Sequence, residues 1–283
     1  MSASRVTRIA PISPVTRVTR IAPTPSGFLH LGNAVNFALI SLLAARWGAE
    51  TVLRIDDMDS TRTRPEFVDD IFATLYWLDI PWTQGPRDRP DFERNFTMSA
   101  RTAYYQAQLS LLTSSGLELF ACRCSRTDLV ATGGLRCAGQ CRTAGLDLVT
   151  NETALRLRLP EGEVMTMNGL AIDLAAAHGD VVLWRRDGLP SYHLVTVIED
   201  RDLGVTDIVR GVDLLESSAL HAWLAPYLDA PNVAQANFVH HALITDDAGE
   251  KLSKSQSAPD MRERTSPLLE LVRSHAVLLI TST

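Results

Sequence analysis

Between residues 18 and 55 the chain runs through a strand pattern, a turn punctuated by proline and glycine, a long helical pattern and a second strand, and this order constrains the fold more than any other feature. The turn lies in RIAPTPSGFLHLGN, Arg20 to Asn33, where Pro23, Pro25 and Gly27 preset a tight backbone. Val35, Phe37, Leu39, Leu42 and Leu43 then carry helical character up to Gly48, where a helix would end. Residues 51–55 read as a buried strand. Strand, helix and strand in so short a span begin a parallel sheet, which predicts an α/β fold of Rossmann type with ligands beyond the carboxyl ends of the strands.

This placement makes the turn a candidate phosphate corner. His30, Gly32 and Asn33 fall at a helix N-terminus, where free N–H groups and the positive end of the helix dipole gather. Gly32 would let a ligand approach the backbone, and the His30 imidazole would bond a phosphate oxygen as charge develops. The competing reading is that His30 is a polar residue opening a helix. Asp56, Asp57 and Asp59 follow the second strand and suit an ammonium, Mg2+ or the capping of the next helix. Pro65 fits a first helical turn, with Phe67, Ile71, Leu75 and Leu78 on one buried face.

Further along, residues 82–96 read as loop and residues 99–115 as helix ending at Gly116. Residues 100–185 are expected to form an insertion with short strands at 155–159 and 181–184. The sheet is expected to resume with strands at 191–198 and 205–209, the latter ending in Arg210-Gly-Val-Asp213, then a helix at 214–228 and a strand at 238–244. The VTRIAP of 6–11 recurs at 18–23, but only the second copy continues into the corner. Residues 1–17 are therefore expected to be a disordered tail.

A net charge of −6 argues against coating nucleic acid by bulk electrostatics and leaves room for a local basic face. Of the 27 Lys and Arg residues only two are lysines, Lys251 and Lys254, and they stand three apart in KLSKS. Such placement indicates a position-specific demand for a compact ammonium. All four cysteines, Cys122, Cys124, Cys137 and Cys141, fall in one segment as two close pairs, which suits a tetrahedral structural zinc better than disulfides. Four incidental thiols are the alternative. With no apolar run of about 18 residues and no signal-peptide pattern, the chain is expected to be cytoplasmic and without a membrane partner.

Three motifs in this order, the corner, Arg210-Gly-Val-Asp213 and KLSKS, resemble the class I aminoacyl-tRNA synthetases, specifically their glutamyl branch. The resemblance covers residues 18–255; His30 to Asn33 stands at the first signature motif of the class and Lys251 to Ser255 at the second. LRIDDMD at 53–59 and DGLPSYH at 187–193 also match the branch. The resemblance implies ATP, carrying Mg2+, bound by His30, Gly32, Asn33, Asp213, Lys251, Ser253 and Lys254. His30 and the two lysines would face the phosphates as the catalytic charges, and Asp213 would accept from the ribose hydroxyls. It implies glutamate held by Arg20, Thr24, Asp56, Tyr192 and Arg210, the arginines taking carboxylate and Asp56 the α-ammonium.

Three departures stand out. Asn33 replaces the second histidine of the first motif, Asp56 replaces a glutamate one methylene longer, and Cys137 stands where a short branch of the family often has a tyrosine zinc ligand. Only 28 residues follow Ser255, too few for an anticodon-binding domain. The implied layout is a catalytic domain at 18–99 and 186–255, an insertion at 100–185 with a zinc knob at 122–141, and a short segment at 256–283. The implied activity is activation of glutamate and its transfer to the queuosine base of tRNA(Asp), by a monomer. The alternatives are a truncated glutamyl-tRNA synthetase, a ligase passing the adenylate to a small molecule or carrier protein, and a non-catalytic RNA-binding module.

Overall fold

The computed structural model describes residues 16–59, 61–130, 137, 139–148, 152–244 and 261–282. In chain order the elements are β1 (Val18–Ile21), α1 (Leu31–Trp47), β2 (Glu50–Leu53), α2 (Pro65–Trp77), α3 (Arg89–Asn95), α4 (Thr102–Ser114), β3 (Leu119–Cys122) and α5 (Arg126–Val130). They continue with β4 (Ala154–Arg158), β5 (Val164–Met167), β6 (Leu170–Asp173), α6 (Leu174–His178), β7 (Asp180–Trp184) and α7 (Tyr192–Asp202). The last are β8 (Asp207–Gly211), α8 (Leu215–Leu224), α9 (Pro231–Ala234), β9 (Asn237–His241) and α10 (Ser266–Ser282).

The central sheet is parallel, in the order β2-β1-β8-β9. β1, β2 and β8 are buried nearly end to end, as in a sheet covered on both faces, while β9 at the edge is mostly half-buried. The chain leaves β1 toward β2 on one side and returns to β8 on the other, so a crevice opens at the carboxyl ends of β1 and β8. On one side α1 packs with α2 and α10 against the strands, through Val35, Leu39, Ile71, Leu268 and Val272. Gly48 ends α1 at φ +63°, the left-handed turn expected there. A second, antiparallel sheet has the order β3-β4-β7, and β5 with β6 forms a separate hairpin. Its core is continuous with that of the neighbouring helices: Leu109, Leu157, Leu183, Val197 and Leu220 belong to one buried cluster.

The largest departure from the sequence reading is at 191–198, where a helix replaces the expected strand. Ser191 is the N-cap and accepts from Leu194 N at 3.4 Å, and Leu194 to Asp200 are all buried. Burial on so many sides erases the helical period and leaves only the β-branched composition visible, and tertiary packing overrides that propensity. Residues 82–96 are not all loop either: Asp88 accepts from Asp91 N at 2.8 Å and, with Pro90 in the first turn, starts α3. The segment beyond 256 contributes α10. Arg17, assigned to the tail, pairs with Asp207 and lies 4.6 Å from the Trp47 ring; residues 1–15 lie outside the described residues.

Candidate active site

His30 is the N-cap of α1, in extended backbone conformation, and its N–H donates to Asn33 Oδ1 at 3.0 Å. Asn33 therefore spends that oxygen on closing the first helical turn. A Cβ on Gly32 would stand 3.0 Å from His30 Cε1, so the glycine makes room for the imidazole itself, where the sequence suggested room for a ligand. Asp70 steadies the corner from α2: its Oδ2 accepts from Leu29 N at 2.8 Å and its Oδ1 pairs with Arg264. Met261, buried beside them, and Arg262, 5.1 Å from the Phe28 ring, bring the chain back to the corner just after the KLSKS segment. Lys251, Ser253 and Lys254 lie outside the described residues.

Pairing of β1 with β2 continues past the strand ends: Arg54 N donates to Ile21 O at 2.9 Å and Asp56 N to Pro23 O at 2.8 Å. This sets Thr24 beside Asp56, and the start of α7 closes over them. Arg20, Thr24, Asp56, Tyr192 and Arg210, named from sequence, line one cleft of about 230 Å³. Arg210 decides its chemistry. Its side chain is 4% exposed, and Nε, Nη1 and Nη2 all lack a partner among the described residues. A buried guanidinium in this state calls for an anion.

Two charged residues that sequence reasoning missed complete the charge pairing here: Arg54 lines the cleft and Asp200 stands behind it. Arg54 grips Asp56 with two bonds, Nε to Oδ1 at 2.7 Å and Nη2 to Oδ2 at 3.1 Å. Asp200, wholly buried on α7, accepts from Arg54 Nη1 at 2.6 Å and from Arg20 Nε at 3.1 Å. Burial opposes the charge on Asp200, but Arg20, Arg54 and Arg210 outweigh it and hold the carboxyl below its ordinary range. Burial lowers Arg20 to about 10 despite Asp200, and raises Asp56 against the pull of Arg54. Among the described residues three arginines, Arg20, Arg54 and Arg210, face two carboxylates, Asp56 and Asp200, which leaves one positive charge in excess. Arg54 was visible as a charged residue inside a buried strand end; Asp200 was hidden by the misassigned helix, which brings positions 192, 196 and 200 onto one face about 12 Å long.

Tyr192 stands 45% exposed at the mouth, its ring 5.3 Å from those of His193 and His221. His193 Nδ1 lies 3.1 Å from His221 Nε2, and burial keeps both imidazoles neutral, His193 lowered to about 4. Asp213 is exposed in the single 3-10 turn after β8. A Cβ on Gly211 would come within 2.6 Å of its Oδ1, so glycine is required for that carboxylate to fold back over the strand end.

Away from the cleft, the sulfurs of Cys122, Cys124, Cys137 and Cys141 all lie within 4.8 Å of one another. Cys124 Sγ is 3.5 Å from Cys137 Sγ and 3.7 Å from Cys141 Sγ. Four Zn–S bonds of about 2.3 Å in a tetrahedron set sulfurs about 3.8 Å apart, so the donors fit zinc in kind and spacing. Burial pushes the Cys122 thiol up to about 12. Asp180 ties the cluster to β7, accepting from Cys137 N at 2.7 Å and from Arg142 Nη2 at 2.7 Å.

The family model for the catalytic domain of class I tRNA synthetases (E and Q) matches residues 16–134 and 137–265. The chain is 39% identical over 243 residues to a glutamyl-Q tRNA(Asp) synthetase of Synechococcus sp., covering 85% of this chain and 74% of that protein. It is 38% identical over 254 residues to the glutamyl-Q tRNA(Asp) synthetase of Ectopseudomonas mendocina, covering 88% and 81%. Among solved structures, the glutamate-tRNA synthetase of Elizabethkingia anophelis superposes with a TM-score of 0.69 at 22% identity, over 88% of this chain. The chain spans about half of that structure, 53% of its length, and the likeness is one of fold.

Proposed function

Since the chain belongs to the catalytic-domain family of the class I tRNA synthetases (E and Q), we propose that it activates glutamate with ATP and transfers the glutamyl group to the queuosine base of tRNA(Asp). The unpartnered Arg210 in a cleft with one excess positive charge carries the amino-acid half of this reading. Glutamate brings two carboxylates and one ammonium, so its single net negative charge neutralises the cleft, whereas glutamine would leave Arg210 unmatched. The glutamyl-Q relatives support the acceptor half.

In the first step an oxygen of the α-carboxylate attacks the α-phosphorus of ATP, the bond to the bridging oxygen breaks and pyrophosphate leaves. No protein nucleophile takes part, and catalysis is positioning plus neutralisation of developing charge. Arg210 and Arg20 fork the side-chain carboxylate, Tyr192 donates its hydroxyl, and Thr24 and Asp56 meet the α-ammonium. The Asp56 oxygens keep lone pairs beyond those Arg54 uses. The α1 N-terminus with His30, Gly32 and Asn33, together with Lys251, Ser253 and Lys254, holds the phosphates; Asp213 holds the ribose and Mg2+ travels with ATP. A structural zinc at Cys122, Cys124, Cys137 and Cys141 cross-links the knob and supplies no chemistry in the cleft. In this reading 18–99 and 186–255 are the catalytic domain and 100–185 the insertion, and the protein works as a cytoplasmic monomer. No helix among the described residues is long and apolar enough to cross a membrane.

ATP–pyrophosphate exchange tests the proposal. Exchange with glutamate in the absence of RNA is expected, and none with glutamine. Strict dependence on tRNA(Glu) would instead point to an ordinary synthetase core, and no exchange with any amino acid would sink both.

A further inference from the structure

Asp200 lies behind the cleft and does not line it, yet among the described residues it is the one carboxylate that bonds both Arg20 and Arg54. Through Arg20 it reaches one end of the amino-acid site, and through Arg54, which grips Asp56 with two bonds, it reaches the other. Its bonding is lopsided. Both guanidiniums come to Oδ1, while Oδ2, equally buried, has no partner among the described residues. A carboxylate placed only for stability would share its two oxygens between two arginines, since a buried lone acceptor is costly. Convergence on one oxygen instead fixes the angle between Arg20 and Arg54. The Asp56 side chain is short, and among the described residues only Arg54 bonds its carboxylate.

We infer that Asp200 is a positioning residue that sets, through Arg20 and Arg54, the spacing between the carboxylate-binding and ammonium-binding ends of the amino-acid site. It acts on amino-acid recognition and not on ATP, because its side-chain hydrogen bonds among the described residues run to Arg20 and Arg54 and not to the His30 corner. The helix supplies the rigidity: Tyr192, Thr196 and Asp200 share one face of α7, and Asn232 Nδ2 donates to Asp200 O at 3.0 Å, fixing the backbone there. The inference rests on the proposal that the cleft binds glutamate.

The test is ATP–pyrophosphate exchange by Asp200→Asn, which keeps shape and one acceptor, and by Asp200→Glu, which keeps the charge but moves the carboxylate by about 1.5 Å. The Michaelis constant for glutamate is expected to rise about tenfold or more in each, with that for ATP within about twofold of wild type. Inhibition by glutarate, which lacks the ammonium, and by 2-aminobutyrate, which lacks the side-chain carboxylate, is expected to weaken together. A well-folded variant with an unchanged glutamate constant overturns the inference, as does weakening of only one inhibitor. Failure of both variants to fold overturns it too, because a purely structural carboxylate explains that result. If the wild-type protein shows no exchange with glutamate, the functional reading itself fails, an outcome separate from all of these.

Discussion

Asp57 shows how a single side chain can oppose its neighbours. It is 4% exposed, accepts from Met98 N at 2.7 Å, and is pushed up to about 6 by burial. Between its ordinary 3.8 and 6 the folded state holds the extra proton, so this group's contribution to stability falls by about 3 kcal/mol as pH rises through that window. His193 runs the other way. Lowered by burial from 6.5 to about 4, it leaves the unfolded state holding more protons in that range, and stability rises with pH by a similar amount. His221, His240 and His241 are lowered in the same way, and burial raises Asp56 and Glu199 as it does Asp57, so four imidazoles act against three carboxyls and the protein is expected to gain stability as pH rises toward 6.5. Asp57→Asn keeps the acceptor for Met98 and removes its own opposing contribution. Urea unfolding at a series of pH values should give a steeper rise for the variant, and parallel curves would refute the assignment. From sequence Asp57 was one of three acids at a strand end; its role as the acceptor for Met98 N depends on where a residue 41 positions away is packed.

At the scale of elements, legibility followed local end signals. α1 begins and ends, and α2 begins, where the sequence places them, because Gly48 and Pro65 act locally; α2 also turns Val68, Ile71, Phe72 and Leu75 inward, whereas α1 is buried on more than one side. α7 was misread since its apolar residues surround it, and with the helix went Asp200. The cysteine segment was legible in composition, and the structure adds what holds it: Asp180 on β7 and the ring of Phe120 beneath Arg142. The purified protein is expected to contain about one equivalent of zinc per chain, measured by metal analysis. Cys122→Ser should lose most of it and melt at a lower temperature. Full zinc retention in that variant would remove Cys122 from the ligand set.

Across the whole molecule the antiparallel sheet shares its interior with helices that follow it in the chain. β4 and β7 belong to one buried cluster with α4, α7 and α8, and α7 also lines the cleft through Tyr192 and Thr196. Residues 100–185 and the helices α7 and α8 are therefore expected to unfold together. Leu157→Ala in β4 and Leu220→Ala in α8, both residues fully buried, should each cost about 2 to 5 kcal/mol and lower one common transition. Melting followed by tryptophan fluorescence and by far-ultraviolet circular dichroism should coincide; two transitions, with each variant moving only one, would show independent units. The sequence by itself determined the strand, turn, helix and strand that open a parallel α/β core, the tight turn before its first helix and the thiol cluster, because turn chemistry, helix ends and spacing act within a few residues along the chain. Its resemblance to a family named five residues that line one cleft. Tertiary structure alone decided that Arg54 joins those five in lining the cleft with Asp200 behind them, that the Arg210 guanidinium has no hydrogen-bond partner among the described residues, and that Gly32 makes room for the His30 ring. Charge pairing in a buried site depends on which strand ends lie side by side, and that adjacency belongs to the fold.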